Sequence, residues 1–336
     1  MHQSLHAPPA RLVGDDGAPV AGTFFGAVGD PAFVHLSGAY QRTFLERKLV
    51  EKKWQYLHVA TKEMMLSAAI VDTGYLASGF CAVFDRGSRR LLVDENEVLP
   101  PLCVSINDEP NDGLSARLVG PRVRARIERS AGRVLFSARW GRASIELSLD
   151  ARKAPKPISA VAPLSEPGRF NFTQKIVGIP AEGEVRAGNA TFLVQGQLAG
   201  LDYTHGYLLR ETAWRWAFAS GRAGSRVIGL NLSEGFLAAA ENAVWVDGAP
   251  CRVGAVRFVF DARAPLSPWR IASDDGALEL TFQPEGLRAQ SIDLLLLMSR
   301  YAQPFGTFSG HVTSTTGERV QLDGLAGVTE DHAARW

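Results

Sequence analysis

Trp54-Gln-Tyr-Leu-His-Val-Ala-Thr61 changes character at every second residue. Trp54, Tyr56, His58 and Ala60 fall on one side, and Gln55, Leu57, Val59 and Thr61 on the other. Successive side chains of a strand point to opposite faces, so this period of two reads as β-strand. Upstream, Phe44 to Lys53 places Leu45, Leu49 and Val50 at helical spacing and predicts one or two helical turns. Residues 1 to about 40 are rich in Gly, Pro and Asp and read as an irregular leader or wrapping arm.

Downstream the period of two returns in short runs. Met64 to Asp72, Tyr75 to Asp85, Arg117 to Arg129, Gly132 to Trp140 and Ala143 to Ala151 are strand candidates, with Gly141-Arg142 as a tight hairpin connection. Arg122, Arg124 and Arg126 alternate with Val123, Ala125 and Ile127, which reads as a solvated outer face. Residues 151–169 hold four prolines and no periodicity, and are the expected boundary between residues 1–160 and 161–336. The second half continues in the same style, with Phe170 to Val177, Thr191 to Leu198, Ala213 to Ala219, Arg226 to Leu232 and Ser291 to Met298 among its strand candidates. Asp247-Gly248 is a hairpin turn. The expected class is all-β: two antiparallel β-barrel or half-barrel domains packed together, with little helix. Aromatic and polar residues sharing one strand face suit a cavity wall and favour barrels over dry sandwiches.

With 46% hydrophobic and 21% charged residues, the chain has the balance of a globular protein. A formal net charge of +1 gives no field that would attract nucleic acid or an anionic membrane. Three widely spaced cysteines, Cys81, Cys103 and Cys251, lack metal-site or disulfide-framework spacing, so no metal is expected. The N-terminus has no signal-peptide pattern, and the longest apolar run, Leu294 to Met298, is too short for a transmembrane segment. A cytoplasmic location is the expectation. There is no Gly-rich phosphate loop, GxSxG or HExxH, which disfavours nucleotide enzymes, serine hydrolases of that type and zinc proteases.

The densest group of chemically able residues is Leu201-Asp-Tyr-Thr-His-Gly-Tyr-Leu-Leu-Arg-Glu-Thr-Ala-Trp-Arg-Trp216. Trp214 and Trp216 face the same side of a strand, and their π faces suit a positive charge; Arg215 faces away. Asp202, beside His205 in a run loosened by Gly200 and Gly206, is the candidate proton donor. A turn-capping aspartate is the plainer account of Asp202. Tyr203, Trp54, Tyr56, His58, Tyr75 and Lys175 are candidate lining residues, although a core role suits His58 and an outward position suits Lys175. Glu330-Asp331-His332 reads as a structural salt link at the tail.

Several spaced blocks, among them Trp54-Gln-Tyr, Ile70-Val-Asp-Thr-Gly-Tyr75, Phe172-Thr-Gln-Lys175, Thr212-Ala-Trp-Arg-Trp216, Glu241-Asn-Ala-Val-Trp-Val-Asp-Gly248 and Gly327-Val-Thr-Glu-Asp-His332, resemble the bacterial family called domain of unknown function 2804. The resemblance runs from about Trp54 to the C-terminus. That family is distantly similar to lipocalin-like double-barrel proteins such as carotenoid 1,2-hydratase, tocopherol cyclase, the AttH-like proteins and some fungal Diels–Alderases. The resemblance implies an apolar site between or within two barrels, and acid–base chemistry without a cofactor. The family more often carries a glycine and an arginine where this chain has Tyr203-Thr204-His205.

The expectation is therefore a hydratase, isomerase or cyclase acting on an apolar small molecule, with Asp202 or His205 as acid. The alternative is a non-catalytic carrier or sensor for a lipid, terpenoid or pigment, and a third reading is a structural protein with a filled interior.

Overall fold

The structure is a computed structural model that describes residues 6–294 and 297–336. Residues 1–5 of the leader, and residues 295 and 296 of the apolar run, lie outside the described residues. The first sheet begins with β1 (Gly22–Phe25), β2 (Glu51–Ala60), β3 (Met64–Asp72), β4 (Ala77–Asp85), β5 (Arg90–Leu99) and β6 (Val104–Ile106). It continues through β7 (Ser115–Val119), β8 (Val123–Ser130), β9 (Arg133–Trp140), β10 (Ala143–Asp150), β11 (Ile158–Pro163), β12 (Phe170–Ala187) and β13 (Ala190–Tyr207). The second sheet comprises β14 (Glu211–Ala223), β15 (Arg226–Gly235), β16 (Ala243–Val246), β17 (Ala249–Arg252) and β18 (Val256–Val259). It closes with β19 (Trp269–Ser273), β20 (Leu278–Leu294), β21 (Leu297–Thr313) and β22 (Arg319–Arg335).

Both sheets are antiparallel half-barrels, in the orders β5-β4-β3-β2-β13-β12-β10-β9-β8-β7-β6 and β17-β16-β15-β14-β22-β21-β20-β19-β18. The expected all-β pair of barrel-like units is what forms. The change of sheet, however, comes after Tyr207 and not in the proline-rich stretch 151–169. That stretch itself contains β11, which pairs with both β1 and β12 of the first sheet, so its prolines interrupt the first sheet without ending it.

Each sheet curls around its own core. Leu57, Leu66, Phe136, Ile145, Phe172 and Tyr203 lie in the first, and Leu230, Trp269, Ile271 and Phe308 in the second. A third cluster, including Tyr56, Met65, Phe84, Val177, Trp216, Phe218, Trp245 and Phe305, forms between the outer faces of the two sheets. The alternation in β2 explains the arrangement: Leu57 and Val59 point into the first barrel, while Trp54 and Tyr56 point at the second sheet.

The described part of the leader packs on the first sheet. Its Leu12, Phe24, Val28 and Phe33 are buried in the first core. The helix α1 (Phe44–Val50) starts at a Thr43/Glu46 capping box, in which each side chain satisfies a backbone N–H of the other residue. Arg122, Arg124 and Arg126 face solvent. Cys81 and Cys251 are buried free thiols and Cys103 is half-buried.

Candidate functional site in the cleft between the sheets

The run Leu201–Gly206, expected to be loosened by its glycines, is regular strand within β13. Those glycines serve close approach. A Cβ at Gly200 would stand 2.4 Å from the Phe218 ring, and one at Gly206 would stand 2.6 Å from the Phe170 carbonyl. In register, Lys175 lies opposite Asp202, and Asp202 opposite Tyr56, while Thr204 lies opposite Trp54. Across the second sheet Trp214 lies opposite His332, Trp216 opposite Glu330, and Tyr301 opposite His332. Directly opposed residues share a face, and these two faces line one cleft of about 210 Å³. That is several times the roughly 30 Å³ share of a water molecule.

At one end, the Lys175 ammonium lies 2.5 Å from Asp202 Oδ1 and 3.2 Å from Glu241 Oε2. The second contact is an ion pair whose angle leaves Oε2 without a hydrogen bond. All three residues are buried. Burial works against the lysine's charge, but the two carboxylates outweigh it and hold the Lys175 pKa above its ordinary value. The ammonium also lies 5.9 Å from the Trp216 ring centre. Trp216 donates to Asn231 Oδ1 at 2.9 Å, and Asn231 donates to the Glu241 carbonyl at 2.8 Å, which anchors the loop that presents Glu241.

Farther along the cleft, Trp214 and Gln303 donate to Glu330 at 2.9 and 2.7 Å. His332 Nδ1 lies 3.3 Å from the same carboxylate, and its Nε2 is 3.1 Å from Ser299 Oγ. Burial pushes the Glu330 pKa up, yet the hydrogen bond and charge of His332 and the Trp214 N–H prevail and leave it below its usual value. Trp54 stacks nearly parallel to Trp214, with centres 6.2 Å apart. Arg288 sits between Phe80 and Tyr301, at 3.7 and 4.4 Å, and donates to Asp94 and Asn96.

Of the residues expected in the site, Asp202, Lys175, Trp54, Tyr56, Trp214 and Trp216 line this cleft. Lys175 therefore faces inward and not solvent, because Asp202 and Glu241 compensate its charge. His205 does not join Asp202. Three positions apart on a strand means opposite faces, and His205 points into the first barrel, stacked on Phe33 at 3.5 Å and 2.8 Å from Glu51. Tyr203 is on that same inner face and donates to the Asn107 carbonyl. His58 is enclosed beside Ser67, with burial holding its pKa down to about 3. Tyr75 lies in the turn after β3, under the Lys52 ammonium, and does not line the cleft. Arg215 faces away, toward Glu234 and Asp331.

Glu241, Arg288, Glu330, His332 and Asn171 also line the cleft, and sequence reasoning missed them as site residues. For Glu330 and His332 the signal was present: two apart on a strand, they share a face, as Trp214 and Trp216 do. Arg288 carries no such signal, since its aromatic partners come from β4 and β21.

The cleft can hold a largely apolar molecule against ring faces while presenting charged and hydrogen-bonding groups at fixed points. Among the described residues, no group of three or more His, Cys, Asp or Glu side chains is placed to hold a metal ion. No helix among them is long and apolar enough to cross a membrane.

Solved structures share the fold. CghA with Sch210972 is 11% identical, with 98% of this chain and 97% of that chain covered at a TM-score of 0.58. Kievitone hydratase from Nectria haematococca is 11% identical, covering 86% and 92% at 0.51. An AttH-like protein from Nitrosomonas europaea is 13% identical, covering 84% and 92% at 0.52. At such identities the likeness is one of fold. No curated protein sequence matches the chain. A family model matches residues 29–336, and the chain belongs to that family, described as Domain of unknown function (DUF2804).

Proposed function

We propose that the protein is a cofactor-independent acid–base enzyme of the hydratase, isomerase or cyclase type, acting on an apolar small molecule in the cleft between its two sheets. The observation that carries this reading is the buried Lys175–Asp202–Glu241 cluster at the wall of an aromatic-lined cleft. Two carboxylates share one ammonium, so a proton held by the cluster balances its charge. Asp202 is the proposed donor to a carbon–carbon double bond. The positive charge left on the substrate faces the rings of Trp54, Trp214 and Trp216, an attraction of about 0.5–2 kcal/mol per ring. A water or an internal nucleophile then bonds to that carbon, and a proton lost in the process passes to Glu330–His332 or returns to Asp202. Loss of a proton from a neighbouring carbon instead gives an isomer. His205, enclosed in the first barrel, has no part in this scheme.

The test is a panel of terpenoid and prenylated compounds incubated with the protein in deuterated water. Deuterium at carbon with a gain of one water reports hydration, and deuterium at carbon with no added water and a shifted retention time reports isomerisation or cyclisation. For a substrate so found, Asp202→Asn should slow turnover about 10²–10⁴-fold while binding changes little, as expected of a general acid. Binding without turnover across the panel would instead support a carrier or sensor, for which the same aromatic lining suffices.

A further inference from the structure

The cleft is short of positive charge. Asp94, Asp202, Glu241 and Glu330 place four formal negative charges at or just behind its wall. Against these stand Lys175 and Arg288, and a protonated His332 would make only a third cation. Glu97 also lines the cleft, so the wall stays net negative in either state of His332 even with the one proton that the Lys175–Asp202–Glu241 cluster is proposed to hold.

Hydrogen-bonding capacity is unfilled there too. Glu241, 4% exposed, has only the Lys175 ion pair at 3.2 Å and no aligned hydrogen bond at Oε2, and Asn171, wholly buried, has none at either side-chain polar atom. Buried polar atoms are ordinarily paired, and an unpaired one is costly. A donor on a ligand would pair with Glu241 Oε2 and with Asn171 Oδ1, while the Asn171 amide N–H calls for an acceptor. The neighbouring surface consists of ring faces, with the Trp54–Trp214 stack beside Glu330 and Trp216 beside the lysine. An ammonium has three donors and no acceptor, and is attracted both to carboxylates and to aromatic faces.

We propose that the cleft selects ligands bearing a protonated amine on an apolar body and rejects carboxylates. This deepens, and rests on, the reading of the cleft as a ligand site. The amine docks between Glu330 and the Trp54–Trp214 pair, where Glu330 and His332 are partly exposed, and the apolar body lies along the rings toward Trp216. A carboxylate in the same place would meet the negative excess while shielded from solvent.

Calorimetric titration of the intact protein with three probes on one ring system tests the assignment: naphthylmethylamine, naphthylmethanol and naphthoate. The amine should bind about tenfold more tightly than the alcohol, and naphthoate more weakly than either. Glu330→Gln, at a partly exposed position, should reduce the preference for amine over naphthoate about tenfold. Glu241→Gln should act in the same direction. The order of the three probes on the unaltered protein decides the matter even where a variant fails to fold. Naphthoate binding as tightly as the amine, or a preference unchanged by Glu330→Gln, overturns the assignment. If none of the probes binds, the ligand cleft falls with it. Amine selectivity in a protein that turns nothing over would keep this inference and sink the enzymatic reading alone.

Discussion

The two faces of β13 carry two buried clusters of similar make-up but opposite access. On the outer face, Asp202 meets Lys175 and Glu241 at the wall of the cleft, beside Trp216. On the inner face, His205 meets Glu51 at 2.8 Å and Asp108 at 3.8 Å, with Phe33 of the leader stacked over the imidazole. The imidazole is closed in by protein: Arg47 pairs with Glu51, Lys53 pairs with Asp108, and the leader covers the ring, while Asp108 reaches the surface at the edge. The outer cluster opens toward a space that another molecule can fill. Three residues of one strand thus separate a group that contributes to stability from one proposed to act on a ligand. Chemical type alone does not distinguish them; access does.

Removing the cation of the outer cluster should have the largest effect. Lys175→Met leaves two buried carboxylates facing each other and should cost about 4 kcal/mol, within the range for breaking a buried ion pair from one side. Urea unfolding would measure it, and an unchanged midpoint would mean that the cluster is far better solvated than its burial indicates. Next comes the lid of the inner cluster. Phe33→Ala should destabilise the fold by about 3 kcal/mol while leaving ligand affinity in the cleft unchanged. A comparable loss of affinity would show that the two faces are coupled.

The third prediction concerns pH. Burial, with Lys53 nearby, holds the His205 pKa down to about 4 despite the Glu51 hydrogen bond. In the unfolded chain the imidazole takes its proton near about 6.5, so folding favours the neutral form. The stability is complete above that value and is lost as the pH falls toward about 4. Between about pH 7 and about pH 5 the loss should be about 2 kcal/mol, and His205→Gln should remove that slope. Burial raises the Glu51 pKa, but hydrogen bonds from His205 and Arg47 leave it below the usual carboxylate range, so its own contribution fades at still lower pH. Chemical denaturation at several pH values would show both phases. The smallest effect is expected at Arg215, between the two cleft tryptophans in sequence but on the solvent side. Arg215→Ala should change stability by less than about 1 kcal/mol and leave ligand binding alone. A marked effect on binding would contradict the assignment of faces.

Much of this comparison was already legible in alternation. Trp54 with Tyr56, and Trp214 with Trp216, are pairs whose common face follows from strand geometry, and both pairs line the cleft. The same rule separates Asp202 from His205, once Leu201–Gly206 is taken as strand and not as a flexible run. The two glycines misdirected that reading, because a glycine gives the same sequence signal whether it loosens a turn or admits a neighbour such as Phe218. Glu330 and His332 obey the rule as well, but their partners Trp214, Gln303 and Ser299 lie on other strands.

By itself the sequence determined the class of fold, through a period of two and frequent turns, and which residues of a strand share a face. These are local consequences of backbone geometry, set within a few residues. Tertiary structure alone decided that the sheet changes after Tyr207, that outer faces of both sheets form one cleft, and that Glu241 and Arg288 belong to it. Those outcomes depend on contacts between segments far apart in the chain. Lys175 shows the dependence most plainly: in the sequence it is a lysine expected outside, and only Asp202 and Glu241 closing on it make its burial tolerable.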